Sequence, residues 1–251
     1  MAGTKRPTQP QWPRCLGSED ATGPLFLTCE HATNRVPPEI AVTKEDATWL
    51  KTHWAWDKGA TDVVEALVEQ TDSYAVLAIA SRLVCDTNRV VQHENWIRQE
   101  MEGYQPSFNQ NVSFDERERR RVVYYEPYHA AIDQSLASRL ERGPAPLLIA
   151  IHSFTPTYSG EQRWMQMGVI FDECVPEAHA LRDALVVEGY ATALNAPYSG
   201  ALGQMYSPRR HGRAHKLRYL ELEMRHDLFE NPDVTAETVR RVSRAIRSLV
   251  Q

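Results

Sequence analysis

The chain has 251 residues, 42% of them apolar and 24% charged, a composition that fits one large globular domain able to bury its core without disulfide staples. Its 33 acids against 28 bases give a formal charge of −5, which excludes the basic surface of a general nucleic-acid or anionic-membrane binder and leaves a small polar molecule as the expected partner. No apolar run approaches the ~18 residues of a membrane span; the four scattered cysteines form no Cys-x-x-Cys pair and the chain opens without signal-peptide order, so a reducing cytoplasm is expected.

Residues 1–23 carry three prolines without periodicity and are expected to form a flexible arm, with a single α/β domain over 24–251. The apolar run Pro24 to Cys29 reads as a strand ending at Glu30 and His31. A helix with Val63, Val64 and Leu67 on one side feeds a second strand over Tyr74–Ala80. Asp115 to Arg142 is the longest helical stretch, and Pro127 predicts two helices or a kink, with Tyr128 and His129 in the first turn of the second.

Pro146 to Ile151 repeats the first strand's grammar and ends at His152. Gly168–Phe171 reads as a strand, Pro176–Glu188 as a helix, and Ala191–Leu194 as another short strand. The irregular stretch from Asn195 to His215 is long enough to predict a substrate lid. Tyr219–Arg225 alternates as a strand, and a last amphipathic helix follows Asp233, its arginines forming a solvated face. Strand and helix alternate throughout, which predicts a mostly parallel sheet covered on both faces.

A lone histidine at a strand end is more often a hydrogen-bonded core residue than a ligand. Two with the same local pattern, joined by strand-end acids, make the inventory of a hydrolytic metal centre. Neither histidine lies in a His-Glu-x-x-His or His-x-x-Glu arrangement. Ligands of open α/β sheets bind beyond the carboxyl ends of the strands, where Glu30, His31, Ser81, Arg82, Asp86 to Arg89, His152, Ser153, Glu223 and Arg225 collect. Asn88 and Arg89 could clamp a carboxylate, because guanidinium makes paired charge-assisted hydrogen bonds with that anion.

Seven short motifs then carry a resemblance: Cys-Glu-His-Ala at 29–32, Trp-Asp-Lys-Gly-Ala at 56–60, Ser-Arg-Leu-Val-Cys-Asp-Thr-Asn-Arg at 81–89, Pro-Tyr-His at 127–129, Ile-His-Ser-Phe-Thr-Pro at 151–156, Asn-Ala-Pro-Tyr-Ser-Gly at 195–200 and Leu-Glu-Met-Arg at 222–225. In this order they resemble the N-formylglutamate amidohydrolase family over residues 24–229. The resemblance implies a three-layer α/β/α fold like that of zinc exopeptidases and hydrolysis of the formamide of N-formyl-L-glutamate at the end of one histidine-degradation route. Histidine-pathway members carry Pro-His-Ala-Gly around the first histidine, where this chain has Glu30-His31-Ala32-Thr33. Other N-formyl, N-acetyl or N-carbamoyl amino acids therefore stay open as substrates, and a catalytically silent binding module is the alternative of a different class.

The resemblance further implies Zn2+, or another first-row divalent metal, held by His31 and His152 with an intervening acid. Asp57 is the expected third ligand and Glu30 the reserve; a helix cap is the competing role for Asp57. Glu223 is the expected proton shuttle, with Glu221 on the same strand face, and His129 is expected to donate to the developing oxyanion. Arg82, Asn88, Arg89, Ser153, Tyr198, Ser199 and Arg225 are the expected substrate contacts, Arg225 alternatively neutralising Glu223.

Overall fold

Strand and helix alternate over residues 13–250, the part of the chain described by the computed structural model. In chain order the elements are β1 (Arg14–Leu16), β2 (Leu25–Cys29), α1 (Lys44–Trp49), α2 (Ala60–Thr71), β3 (Tyr74–Leu77), α3 (Phe114–Arg120), α4 (Glu126–Arg142), β4 (Leu147–Phe154), β5 (Thr157–Tyr158), β6 (Glu161–Gln162), β7 (Met167–Ile170), α5 (Val175–Val187), β8 (Thr192–Leu194), α6 (Tyr206–Ala214), β9 (Tyr219–Arg225) and α7 (Pro232–Ser248). Seven strands form one sheet in the order β1-β3-β2-β4-β9-β7-β8, while β5 and β6 make a separate hairpin. The run from β3 through β2 and β4 to β9 is parallel, as is β7 with β8; β1 and β7 join it antiparallel. This is the mixed, mostly parallel sheet that the sequence predicts.

Alternation along the strands sorts the core into two layers. Leu25, Leu27, Ala75, Leu77, Leu147, Ile149 and Ile151 face α2, α5 and α7, while Phe26, Tyr74, Val76 and Leu148 face the Tyr128–Leu136 stretch of α4. The eight residues of β4 are all buried, as expected of a central parallel strand covered on both sides. Each large aliphatic side chain buried there contributes roughly 1.5–3 kcal/mol. The acids of β9 and His152 share the α4 face, because Tyr219, Glu221 and Glu223 follow one parity and pair with Leu148, Ala150 and His152.

Three expectations change. The expected arm is not wholly free of the fold: residues 1–12 lie outside the described residues, but Arg14–Leu16 extend the sheet antiparallel to β3 and Ala21 is buried against Phe26 and Tyr74. The break predicted at Pro127 is a π-turn over Arg121–Tyr125 that joins α3 to α4. Its wider turn brings Tyr124 and Tyr125 inward, and Pro127 falls in the first turn of α4, where a missing N–H costs little. Glu126 stays helical at φ −62°, ψ −44°. The predicted lid over 195–215 is half helix: α6 packs on β4 and β9, with Ser207 and His211 buried.

Candidate metal centre

Register brings the twin histidines together. β2 and β4 are parallel neighbours with Thr28 opposite Ala150, so Glu30, His31 and His152 leave the same carboxyl edge of the sheet. Asp57 reaches that edge because its N–H donates to the His31 carbonyl at 2.9 Å. The helix-cap role for Asp57 does not hold, since Gly59 is the N-cap of α2. Gly59 sits at φ +83°, and a side chain there would run into the Phe229 ring. Asp57 is thereby left to accept from the Ser153 N–H at 3.2 Å and to face both histidines.

The three groups converge on one point. His31 Nδ1 lies 3.1 Å from His152 Nδ1, and both lie close to Asp57 Oδ2, at 3.1 and 2.8 Å. All three residues are buried. A tetrahedral first-row metal with bonds of about 2.0–2.1 Å needs donor atoms roughly 3.3 Å apart, which this triangle supplies. The opposite ring nitrogens are also accounted for: His31 Nε2 is 2.8 Å from Asp86 Oδ1 and His152 Nε2 is 2.9 Å from Glu30 Oε2. A carboxylate at Nε2 holds the proton there and leaves the Nδ1 lone pair for a cation. The His31, Asp57 and His152 set can therefore hold a metal ion.

Charge leads to the same conclusion. Glu30, Asp57, Asp86, Glu221 and Glu223 are all buried around these two imidazoles. Burial opposes ionisation of Glu30, but the hydrogen bond and charge of His152 hold its carboxyl down at about 2. Asp86 likewise lies well below the usual range despite burial, through Arg82 and His31. Glu221 goes the other way: burial pushes it up to about 7, against the pull of His152. Glu223 is pushed well above the usual range by burial, against His152 and with the repulsion of Glu221 and Asp57 added. Buried carboxyls held protonated in this way gain from a cation among them, which would let them ionise.

Glu30 stands outside this triangle. It supports His152 from behind and accepts from the Tyr128 hydroxyl at 2.9 Å. Glu221 and Glu223, alike in strand face, differ in surroundings: Glu221 accepts from Asn88 Nδ2 at 3.1 Å, whereas Glu223, the register partner of His152, has a buried Oε2 with no hydrogen-bond partner among the described residues.

Arg82 donates to Asp86 Oδ2 at 2.8 Å and approaches Asp57 Oδ1 at 3.7 Å, with 23% of its side chain exposed. Arg89 Nε donates to Asp86 Oδ2 at 3.1 Å, with NH1 at 3.0 Å from His93 Nε2. Asn88 is tied at both ends of its amide, to Glu221 and to the Ser207 N–H. Ser153 serves Asp57 through its backbone. Tyr198 is seated near Arg163, and Ser199 begins the turn closed by Gln204.

Arg225 departs from both expected roles. Its guanidinium pairs with both oxygens of Asp227 and donates to the carbonyls of Arg163 and Met165, so it ties down a loop. His129 also lies in another network: its Nδ1 is 2.8 Å from His211 Nε2, whose own Nδ1 meets Asp133 at 2.7 Å. The supporting roles of Asp86 and Tyr128 were not visible in the sequence; the only trace was their place inside the 81–89 and 127–129 motifs.

Residues 23–230 match the family N-formylglutamate amidohydrolase, and the chain belongs to that family, whose members hydrolyse amide bonds. No curated protein matches. Among solved structures, the chain is similar to a gene product of Agrobacterium tumefaciens at 27% identity, TM-score 0.83, over 94% of this chain and 96% of that one. It is also similar to the N-formylglutamate amidohydrolase of Ralstonia eutropha JMP134 at 18% identity, TM-score 0.74, again over 94% and 96%, a likeness of fold.

Proposed function

We propose that this chain, as a member of the N-formylglutamate amidohydrolase family, is a metal-dependent hydrolase cleaving the N-formyl, or a related N-acyl, amide of an acidic amino acid such as N-formyl-L-glutamate. The observation that carries this reading is the Nδ1, Nδ1 and Oδ2 triangle with a carboxylate behind each imidazole. Zn2+ suits its nitrogen and oxygen donors, and when bound it supplies a Lewis acid that polarises the amide carbonyl and activates water.

The chain's own residues do the rest. Glu223, whose buried Oε2 has no hydrogen-bond partner among the described residues, lies in register with His152, takes the proton of the attacking water and passes it to the departing amine nitrogen. Arg82 sits beside Asp57 with part of its side chain exposed, where it holds the substrate's α-carboxylate. Asp86 has two tasks, fixing the His31 ring and anchoring Arg82. Asn88 and Arg89 act by position, the first holding Glu221 and the second Asp86. Tyr198 and Ser199 belong to the loop over β7; the Gly168 of that strand has no room for a side chain beneath Ala196.

No helix among the described residues is long and apolar enough to cross a membrane. The four cysteines are free, two of them buried, with burial pushing the Cys29 and Cys85 thiols up, which fits work in a reducing cytoplasm. The test is a panel of N-formyl-, N-acetyl- and N-carbamoyl-L-glutamate incubated with zinc-loaded protein, reading free glutamate. Release from the formyl compound first is expected. Tight binding across the panel with no turnover would establish the silent binding module instead.

A further inference from the structure

Two arginines at the mouth of the site stand outside its ion pairs. Arg98 is half-buried, and its guanidinium carbon lies 5.1 Å from the Trp54 ring centroid. Trp54 meets Tyr158 at 6.5 Å, Arg163 lies 5.0 Å over Tyr158, and the same guanidinium is 5.6 Å from Tyr198. The result is a continuous rim of alternating guanidinium and aromatic groups, from the segment before Asp57 to the loop over β7. Arg163 is partly satisfied, donating to the Thr155 carbonyl at 3.2 Å. Arg98 has no carboxylate or carbonyl partner for its side chain among the described residues.

Arg98 is also a charge in an unfavourable place. Burial pulls its pKa down, and so do the like charges of Arg82 and Arg89, with Asp86 and Tyr158 in partial compensation. Arg82 and Arg89 both spend their charge on Asp86. A third guanidinium, held over an indole near two others and given no anion among the described residues, is arranged for an anion brought by a ligand.

Distance from the ligand triad says which anion. Arg82 touches Asp57 and can reach a carboxylate one carbon from the scissile nitrogen. Arg98 makes no ion pair or hydrogen bond with His31, Asp57 or His152 and feels the site through Arg82, Arg89 and Asp86 around them, so the anion it receives lies farther from the amide. We propose that Arg98 is the specificity-determining residue for a side-chain carboxylate, receiving the distal acid of an N-acyl glutamate-like substrate against the Trp54 ring. This rests on the hydrolase reading above for the substrate's amide, but the carboxylate contact itself does not require turnover.

The test uses zinc-loaded full-length protein and two product-like ligands of one shape, L-glutamate and L-glutamine, titrated calorimetrically into wild type, Arg98→Gln and Arg98→Lys. Wild type is expected to prefer glutamate by roughly 10- to 100-fold, the scale of a charge-assisted hydrogen bond. Arg98→Gln should reduce that preference to within about 3-fold, chiefly by losing glutamate affinity. Arg98→Lys, which keeps the charge, should retain part of the preference and shows that loss in Arg98→Gln is not misfolding. Equal weakening of both ligands in Arg98→Gln, or a wild type indifferent between them, overturns the proposal. A wild type that binds glutamate through Arg98 yet hydrolyses no N-acyl glutamate supports the contact and sinks the hydrolase reading alone.

Discussion

His31 and His152 turn the same ring atom toward one another, Nδ1 to Nδ1 at 3.1 Å, while each Nε2 rests on a buried carboxylate. Two imidazoles gain little from meeting nitrogen to nitrogen, and the arrangement becomes favourable when a cation lies between them and Asp57.

The carboxylates behind the rings therefore set metal affinity. Asp86→Asn removes the charge at His31 Nε2 and is expected to weaken zinc binding by about 10- to 100-fold, measured by competition with a chromogenic chelator. Glu30→Gln should do the same through His152. Unchanged affinity in both would mean that the rings are held by packing alone.

Glu223→Gln keeps shape and removes basicity. Its kcat should fall by roughly 100-fold or more, the scale of a lost general base, with zinc content at wild-type level. Near-normal turnover would move the proton to Glu221, the other carboxylate on that strand face. Loss of zinc would make Glu223 a ligand.

A third prediction concerns the fold. Asp46 is buried at the start of α1 and accepts from Thr43, Tyr104 and Ser107. Burial opposes its ionisation, but these donors hold its carboxyl below the usual range. A folded pKa below the unfolded value of about 3.9 means stabilisation that is full above that pH and is lost as pH falls through the folded value. Asp46→Asn should thus lower Tm at pH 7, by a ΔΔG of roughly 1–3 kcal/mol, and should lose less Tm than wild type on acidification below pH ~4. Parallel Tm curves for the two proteins would contradict this.

Gly59 supplies the fourth. At φ +83°, with Phe229 against its α-carbon, Gly59→Ala is strained in backbone and blocked in space. Thermal unfolding should show a loss of about 1–3 kcal/mol, and a variant as stable as wild type would show that the Asp57 turn is softer than it looks.

What the sequence made legible was whatever a local pattern could carry. His31 and His152 each end an apolar run, and the Asp57 turn is marked by its glycine, so the three residues that meet in the triangle and the parallel sheet could be read from pattern and motif. The supporting contacts could not. Asp86 against His31 and Glu30 against His152 join residues far apart in the chain, fixed only when β2 and β4 pair. Arg225 was expected at the substrate or beside Glu223, yet Asp227, two residues on, captures its guanidinium. The π-turn before Pro127 and helix α6 followed from tertiary packing of tyrosines and histidines, which a scan for proline and loop composition does not register.

Amide hydrolysis by this chain is expected to require one metal ion at His31, Asp57 and His152. The direct measurement is formate release from N-formyl-L-glutamate by protein stripped with a chelator and titrated with Zn2+, alongside His152→Ala. Stripped protein should show negligible turnover and recover fully at one equivalent of Zn2+, and the variant should show none at any zinc level. Turnover indifferent to stripping, or restored in His152→Ala, would contradict it.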